Sequence, residues 1–269
     1  MLITVVVPAY KQEKSIKDNI RRICDVMSST RWDYEIIVVV DGNVDNTLSE
    51  AKKVKNDKVI VVGYNTNRGK GYAVRYGMAR ASGDYIAFID SGFDINPNGI
   101  SMVLEHMIWY QADIIVASKR HPASKVKLTP MRKLYSWGYH ALTKALFSLK
   151  VRDTQAGLKV FKREVLEKVL PRLIVKAFAF DIELLAVAQR LGFKRIYEAP
   201  VELELDIREN SKFNQAVLIF NPSVRQMIKD TLAVFYRLHI LHYYDDKSKR
   251  KWIYDKELDM RINTGEFRR

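Results

Sequence analysis

The sequence is organised around one stretch, NRGKGYAVRYGMARASGDYIAFIDSGFD, which runs from Asn67 to Asp94. It opens with a basic, glycine-rich segment, continues with a helical pattern through Tyr72 to Ala81, and ends with an apolar strand, Tyr85 to Ile89. Ligands of open α/β sheets bind beyond the carboxyl ends of the strands, where Asp90 and Asp94 follow this strand. Their carboxylate oxygens suit Mg²⁺ or Mn²⁺ with a phosphate attached. A surface loop with two solvated acids is the alternative interpretation.

Further apolar runs predict strands that alternate with helices. They are Ile3 to Val7, Tyr34 to Val40, Val59 to Val62 and Asp113 to Ala117. Runs that consist almost entirely of Val and Ile indicate strands buried on both faces, as in a mostly parallel sheet with crossover helices. Polar loops follow the predicted strands that end at Val7, Val40 and Ile89. These loops begin at Pro8, Asp41 and Asp90. The sequence therefore predicts an α/β fold with a nucleotide pocket at one edge of the sheet.

Composition limits the class of protein. With 269 residues, 48% of them hydrophobic, the chain can bury the core of one large α/β domain or of a domain with an appendage. A formal net charge of +14 indicates an anionic partner, which could be nucleic acid, a phosphorylated substrate or an acidic membrane surface. Cys24 is the only cysteine, which excludes an internal disulfide and a cysteine-rich zinc site. The sequence contains no apolar stretch of roughly 20 residues, so we expect no integral membrane span.

Four ordered motifs resemble glycosyltransferase family 2, and within it the polyprenyl-phosphate (dolichyl-phosphate) mannose and glucose synthases. They are PAYKQE (Pro8 to Glu13), VVVDGNVDNT (Val38 to Thr47), NRGKGYAVRYGMARASGDYIAFID (Asn67 to Asp90) and VRDTQAGLKVF (Val151 to Phe161). The resemblance implies a GT-A fold and an inverting transfer of a hexose from GDP-mannose or UDP-glucose to a polyprenyl-phosphate lipid, with mannose favoured over glucose. It also implies a catalytic domain over residues 1–213 and a C-terminal, membrane-associating amphipathic helical segment over residues 214–269.

The resemblance also implies the donor site. The implied nucleotide-sugar-binding residues are Pro8, Tyr10, Glu13, Asp41, Asn43, Arg68, Lys70, Asp90, Ser91 and Gly92. A divalent metal, Mg²⁺ or Mn²⁺, is expected on Asp90. Family members commonly have Asp-x-Asp here, whereas this chain has Asp90-Ser91-Gly92, so the second carboxylate is missing and Asp94 is the expected helper. One or two carboxylates can suffice when phosphate oxygens and waters complete the metal shell.

The implied catalytic residues are Asp90, Asp153, Gln155, Arg132 and Arg208, and those for the acceptor phosphate are Lys119, Arg132, Arg208 and Lys212. Asp153 and Gln155 belong to the motif that is expected to close over the sugar, and the cations are alternatively a solvated charged face. A phosphate monoester is already ionised near neutral pH, so its oxygen can attack without a general base. Catalysis is then expected to consist of positioning and of stabilising the departing diphosphate.

A helical pattern after Asn221-Pro222 predicts an amphipathic helix. Its apolar side is formed by Val224, Met227, Ile228, Leu232, Phe235 and Leu238. Such a face packs against a core more often than against a membrane. Here the basic chain, the inferred lipid acceptor and the aromatic and basic residues that follow favour a membrane interface. We therefore expect peripheral attachment to the cytoplasmic face of a membrane.

Three other classes remain open at this stage. A nucleic-acid-binding protein would explain the charge, but the sequence contains no recognised module for it, and we expect no nucleic-acid partner. A nucleotidyltransferase would share the sheet but not the later motifs. A catalytically silent relative that binds a nucleotide sugar would explain Gly92. The sequence leaves the oligomeric state and the role of residues 252–269 undetermined.

Overall fold

The computed structural model of the protein describes residues 1–92, 95–126, 130–203, 222–245 and 250–267. The strands are β1 (Leu2–Ala9), β2 (Asp33–Asp41), β3 (Val59–Tyr64), β4 (Tyr85–Ile89), β5 (Ile114–Ala117), β6 (Leu158–Lys162), β7 (Ile196–Ala199), β8 (Arg250–Asp255) and β9 (Met260–Phe267). The helices are α1 (Ile16–Ser28), α2 (Thr47–Lys52), α3 (Lys70–Ala79), α4 (Gly99–Trp109), α5 (Pro130–Phe147), α6 (Arg163–Val169), α7 (Phe180–Arg190) and α8 (Pro222–Phe235). A 3₁₀ turn (Leu170–Arg172) follows α6, and a π-helical turn (Tyr236–Ile240) extends α8.

The central sheet has the strand order β3-β2-β1-β4-β6-β5-β7. β1 pairs in parallel with β2 and β4, β2 with β3, and β5 with β7. β6 runs antiparallel to both of its neighbours, β4 and β5. The reversed direction brings the start of β6 to the edge where β4 ends, so that the backbone N–H of Asp90 donates a hydrogen bond of 2.8 Å to the carbonyl of Gly157. The predicted mostly parallel sheet is confirmed.

The two faces of the sheet carry separate apolar layers, because successive side chains of a strand point to opposite faces. Val5 and Val7 of β1 pack in one layer with residues of α1 and α4, including Ile20 and Met107. Val6 lies in the other layer with residues of α3, α6 and α7. This explains the unbroken Val and Ile runs, since both alternating sets of side chains need to be apolar when helices cover both faces.

The apolar face predicted for the C-terminal helix divides into two parts. Leu238 is buried, and the Phe235 ring packs on Phe147 with 6.3 Å between centroids. Ile228 and Leu232 instead remain 39% and 47% exposed. The expectation that all of these side chains face a membrane is therefore wrong for Phe235 and Leu238, which belong to the core.

The C-terminal segment was predicted to be helical, but its last described part forms two strands. β8 and β9 form an antiparallel hairpin beyond α8 and its π-helical turn. Its Trp252 ring lies 5.1 Å from the guanidinium of Arg172, and the carbonyl of Glu257 accepts a hydrogen bond of 2.6 Å from Arg80. These contacts join residues far apart in sequence, which is why the sequence pattern alone left this segment undetermined.

A buried carboxylate connects the C-terminal region to α7. Glu183 is fully buried and accepts hydrogen bonds from the backbone N–H groups of Ile174 and Val175, at 3.0 and 2.9 Å. Its other oxygen accepts one of 2.7 Å from the hydroxyl of Tyr244. Burial raises the pKa of Glu183, although these donors oppose the shift. Glu183 therefore fixes the segment before α7, next to the start of α3, where the carbonyl of Lys176 accepts the N–H of Tyr72.

The division of the C-terminal helical face predicts unequal effects of two leucine substitutions. Leu238→Ala should lower the free energy of unfolding by about 2–5 kcal/mol, because it leaves a cavity in the core. Leu232→Ala, the matched control on the exposed side, should change it by about 0.5 kcal/mol or less. Urea unfolding followed by circular dichroism measures both values. Equal losses would contradict this assignment of the two side chains.

Candidate active site

Asp41, the last residue of β2, organises the loop that leads into α3. Its carboxylate accepts hydrogen bonds from the backbone N–H groups of Arg68 and Gly69, at 2.7 and 3.0 Å. The side chains of Asn67 and Tyr64 donate to it as well, at 3.0 and 2.9 Å. Burial and the neighbouring carboxylate raise the pKa of Tyr64, which therefore remains a donor. Asp41 was predicted to bind the nucleotide sugar, and in the structure its carboxylate holds the glycine-rich loop in place.

Part of the backbone of the glycine-rich loop is hydrogen-bonded within the protein. Three of its N–H groups are engaged within the protein, two by Asp41 and that of Tyr72 by the carbonyl of Lys176 at 3.1 Å. Gly69 has φ of 97°, and a Cβ there would lie 2.5 Å from that same carbonyl. The glycine is required both by its backbone conformation and by this close approach. The group that the loop presents to the strand ends is the Lys70 side chain.

Lys70 and Asp90 form the central ion pair of the site. The Lys70 Nζ lies 2.9 Å from each carboxylate oxygen of Asp90, and 3.9 Å from Asp181 Oδ2. Asp181 in turn accepts a hydrogen bond of 2.6 Å from Lys159, and both of these side chains are buried. Burial lowers the pKa of Lys159, while Asp181 favours its charged form. Lys70 thus lies at the acidic end of β4, and its predicted contact with a nucleotide sugar stays a prediction.

The surroundings of Asp90 decide whether a divalent ion fits. A Cβ at Gly157 would lie 2.6 Å from Asp90 Oδ2, so only glycine permits this contact. A Cβ at Gly92 would meet no atom of the described residues within 4 Å. Within the described ranges, no three His, Cys, Asp or Glu side chains come together as a metal cluster. The residues fit an ion that binds the Asp90 carboxylate and whose remaining ligands are diphosphate oxygens and water. Such binding requires the Lys70 ammonium to move away from Asp90.

Asp153 comes before β6 in the sequence and lies beside the end of β5 in space, on the side where the acceptor is expected. Its carboxylate accepts a hydrogen bond of 3.0 Å from the backbone N–H of Lys119, and its own N–H donates to Glu198 at 3.1 Å. Gln155 follows two residues later, and its buried Nε2 has no hydrogen-bond partner among the described residues. A buried amide donor without a partner is costly and suits a ligand that supplies an acceptor oxygen. The role of Gln155 at the sugar stays a prediction.

The remaining predicted donor residues surround the ends of β1 and β2. Pro8 is buried within β1, and Tyr10 is 41% exposed directly after it. The Glu13 carboxylate accepts the N–H of Asn46 at 3.2 Å. Asn43 is exposed, and Ser91 is buried with its carbonyl accepting a hydrogen bond of 2.6 Å from Asn19. Their contacts with a nucleotide stay predictions.

Several predicted residues are not joined to this site. The Arg68 side chain pairs with Glu257 of the C-terminal hairpin and lies over the ring of Tyr72, and its predicted contact with a nucleotide sugar stays a prediction. Arg132 lies in the first turn of α5, of which only the backbone is described. Asp94, Arg208 and Lys212 fall outside the described residues.

Sequence reasoning missed the buried Lys159–Asp181 ion pair next to Lys70. Neither Lys159 nor Asp181 was among the site residues predicted from the sequence. The available signal was the lysine at an inward position of the apolar strand LKVFK, since a buried cation requires an anionic partner. The sequence could not say which carboxylate supplies it.

Comparison with known proteins agrees with the geometry. The model of the family "Glycosyl transferase family 2" matches residues 4–170. A dolichyl-phosphate beta-glucosyltransferase of Homo sapiens is 31% identical over 89% of this chain and 76% of its own length. One of Drosophila melanogaster is 34% identical over 70% of this chain and 63% of its own length. Glucosyl-3-phosphoglycerate synthase from Mycobacterium tuberculosis was solved with Mn²⁺, UDP and phosphoglyceric acid. Its structure matches this chain with a TM-score of 0.64 at 20% identity, and the match covers 97% of this chain and 86% of the synthase chain.

The mostly parallel sheet, the flanking helices and the acidic end of β4 define a GT-A fold. The chain belongs to glycosyltransferase family 2. The relatives are glucosyltransferases, so the expected preference for mannose over glucose is not supported. Among the helices of the described residues, none is both long and apolar enough to cross a bilayer.

The open space around Gly92 predicts that the missing carboxylate can be restored. Gly92→Asp should keep the fold and raise the affinity for Mn²⁺ in the presence of UDP by about tenfold, equivalent to about 1.4 kcal/mol. Electron paramagnetic resonance of free Mn²⁺ during titration measures this affinity. Gly92→Asn, which has nearly the same shape without the charge, is the control and should show little gain. The hypothesis of a metal at this strand end fails if both variants bind Mn²⁺ as the wild type does.

Proposed function

We propose that the protein transfers glucose from UDP-glucose to the phosphate of a dolichyl-type polyprenyl lipid, with inversion at the anomeric carbon. The observation that carries the proposal is the Lys70–Asp90 pair at the meeting edge of β1, β2 and β4, backed by Gly157 of the sugar-side motif. The similarity to dolichyl-phosphate beta-glucosyltransferases supports glucose as the sugar and a lipid phosphate as the acceptor.

On the donor side, the strand ends and the loop held by Asp41 receive the nucleotide. Asp41 acts through the loop, because its oxygens already accept four hydrogen bonds from residues 64–69. Lys70 then neutralises part of the charge of the diphosphate. A lysine ammonium with three donors can exchange a carboxylate for a phosphate oxygen at little cost, since both are charge-assisted partners.

On the acceptor side, the chain needs to position a nucleophile rather than activate it. The phosphate monoester is ionised near neutral pH, so its oxygen attacks the anomeric carbon, the bond from that carbon to the diphosphate breaks, and no proton moves. Asp153 and Gln155 orient the sugar, and Lys119 with Arg132 and Arg208 attracts the acceptor phosphate. Holding two reactants in line can supply several kcal/mol of the barrier reduction.

A divalent ion, Mg²⁺ or Mn²⁺, bound through Asp90 would stabilise the negative charge of the departing UDP. The described protein residues offer one carboxylate for it at this position, so the donor diphosphate has to supply further oxygens. Metal binding should therefore depend strongly on the nucleotide.

An exposed apolar stripe supports attachment to a membrane surface. It consists of Ile228, Leu232, Tyr236 and Ile240, spaced four residues apart on α8 and its π-helical turn and each between 39% and 59% exposed. Arg225 and Lys229 on the same helix are exposed, and the chain carries a net charge of +14. Aliphatic and aromatic side chains flanked by cations suit the interface of a bilayer with anionic headgroups. We place this attachment on the cytoplasmic face of the membrane.

Transfer assays with two labelled donors test the proposed reaction. Purified protein should move radiolabelled glucose from UDP-glucose into an extractable polyprenyl-phosphate lipid in the presence of Mn²⁺. Mannose from GDP-mannose should be transferred at least about a hundredfold more slowly, which corresponds to about 2.8 kcal/mol of discrimination. Asp90→Asn, the nearly isosteric control, should lose most of the transfer and keep its thermal stability.

Three outcomes would overturn the assignment. Transfer to a water-soluble phosphate monoester but not to the lipid would assign a different acceptor class. Binding of UDP-glucose without transfer to any phosphate acceptor would identify a catalytically silent relative. Preferential transfer from GDP-mannose would restore mannose as the sugar.

The apolar stripe predicts the effect of a triple substitution on membrane binding. Ile228→Ser/Leu232→Ser/Ile240→Ser should remain folded and lower partitioning to anionic vesicles by at least about tenfold, because each apolar side chain contributes on the order of 1 kcal/mol when half buried. Co-sedimentation with vesicles measures the effect. Trp109→Ser, which removes an 84% exposed aromatic residue elsewhere, is the matched control and should bind as the wild type does. Equal binding of all three proteins would remove this stripe from the membrane contact.

A further inference from the structure

Four charged side chains form a row that leads from the interior of the protein to the edge of the site. In order they are Lys159, Asp181, Lys70 and Asp90, and their signs alternate. The Nζ–O distances along the row are 2.6, 3.9 and 2.9 Å. The side chains of the inner pair are 1% and 2% exposed, and those of the outer pair 21% and 38%.

The inner pair is also tied to the backbone behind Asp90. Lys159 donates a second hydrogen bond of 2.7 Å to the carbonyl of Ala156. The next residue, Gly157, accepts the backbone N–H of Asp90 at 2.8 Å and leaves no room for a Cβ beside its carboxylate. The Lys159 ammonium therefore holds two things in place, the Asp181 carboxylate and the backbone segment that packs against Asp90.

Lys70 lies between two carboxylates that hold it unequally. It is within hydrogen-bond distance of both oxygens of Asp90, whereas Asp181 Oδ2 at 3.9 Å is beyond a hydrogen bond. A carboxylate at that distance in a buried setting still attracts an ammonium strongly, because few waters screen the charge. A rotation of the long lysine side chain can therefore exchange one partner for the other.

We propose that Asp181, held by the buried Lys159, is a positioning residue that gives Lys70 a second anionic partner and so lets it release Asp90 when the donor nucleotide and its divalent ion bind. The proposal rests on the proposed function in that Asp90 faces the donor diphosphate. Lys70 and a divalent ion compete for the same two oxygens, since both are cations. Without Asp181, Lys70 loses one anionic partner beside Asp90, so more of its charge stays at the carboxylate that the ion requires.

The affinity for Mn²⁺ at saturating UDP, measured by electron paramagnetic resonance of the free ion, tests this role. The variant Lys159→Met/Asp181→Asn removes both charges of the inner pair, so no lone charge is buried. It should bind Mn²⁺ about tenfold more weakly than the wild type. If that variant does not fold, Lys159→Gln/Asp181→Asn makes the same prediction, because it also removes both charges and keeps two side chains that can hydrogen-bond to each other.

A second background separates positioning from a structural effect. In Lys70→Met, the competing ammonium is absent, and removing the inner pair should change the Mn²⁺ affinity by less than about twofold. The control variant Arg195→Met/Asp113→Asn removes another ion pair, of 3.0 Å, at the opposite end of β5, and should leave the Mn²⁺ affinity unchanged.

Two results would overturn the proposal. The first is an unchanged Mn²⁺ affinity when the inner pair is removed from the wild type. The second is an equal loss in the wild-type and Lys70→Met backgrounds, which would show that the pair does not act through Lys70. The measurement uses neither sugar nor lipid, so a failure of glucose transfer in the wild type would refute the proposed function and leave this role standing.

Discussion

The ammonium of Lys70 and the carboxylate of Asp90 are 2.9 Å apart, and most of the site can be understood from what is needed to bring them together. Asp90 is placed by β4, and Lys70 by a loop that would not keep its shape alone. Asp41 holds that loop from β2, and the carbonyl of Lys176 closes it from the segment before α7. Two strands and two loops therefore determine one ion pair.

The antiparallel direction of β6 determines which residues lie next to Asp90. Because β6 starts where β4 ends, Gly157, the residue before β6, lies next to Asp90. Gly157 is required by that approach, as a Cβ there would meet the Asp90 carboxylate at 2.6 Å. A wholly parallel sheet would start its next strand at the opposite edge, away from Asp90.

The fold was largely predictable from the sequence because it depends on local patterns. The run IIVVV and its neighbours predicted buried parallel strands, and the position of Asp90 after an apolar strand predicted the acidic strand end. The pairing of Arg68 with Glu257 was not predictable, because the two residues are 189 positions apart and the hairpin has no signal of its own. The burial of Arg75, which donates a hydrogen bond to the carbonyl of Leu173, was not predictable for the same reason, because the two residues are 98 positions apart.

The C-terminal helix shows the same limit. Its periodicity correctly predicted an amphipathic helix, but periodicity cannot say how much of an apolar face the rest of the protein covers. The core takes Phe235 and Leu238, and Ile228 and Leu232 remain exposed. The proposed transfer of glucose could not be read from the sequence, because its motifs resemble those of both the mannose and the glucose synthases.

A crystal structure of the protein with UDP and Mn²⁺, with the ion located by its anomalous scattering, tests the central claim most directly. The account predicts Mn²⁺ bonded to the Asp90 carboxylate and to the diphosphate, with the Lys70 ammonium moved from Asp90 towards Asp181 or a phosphate oxygen. Mn²⁺ bound away from Asp90, or a Lys70–Asp90 pair unchanged beside bound UDP, would contradict it.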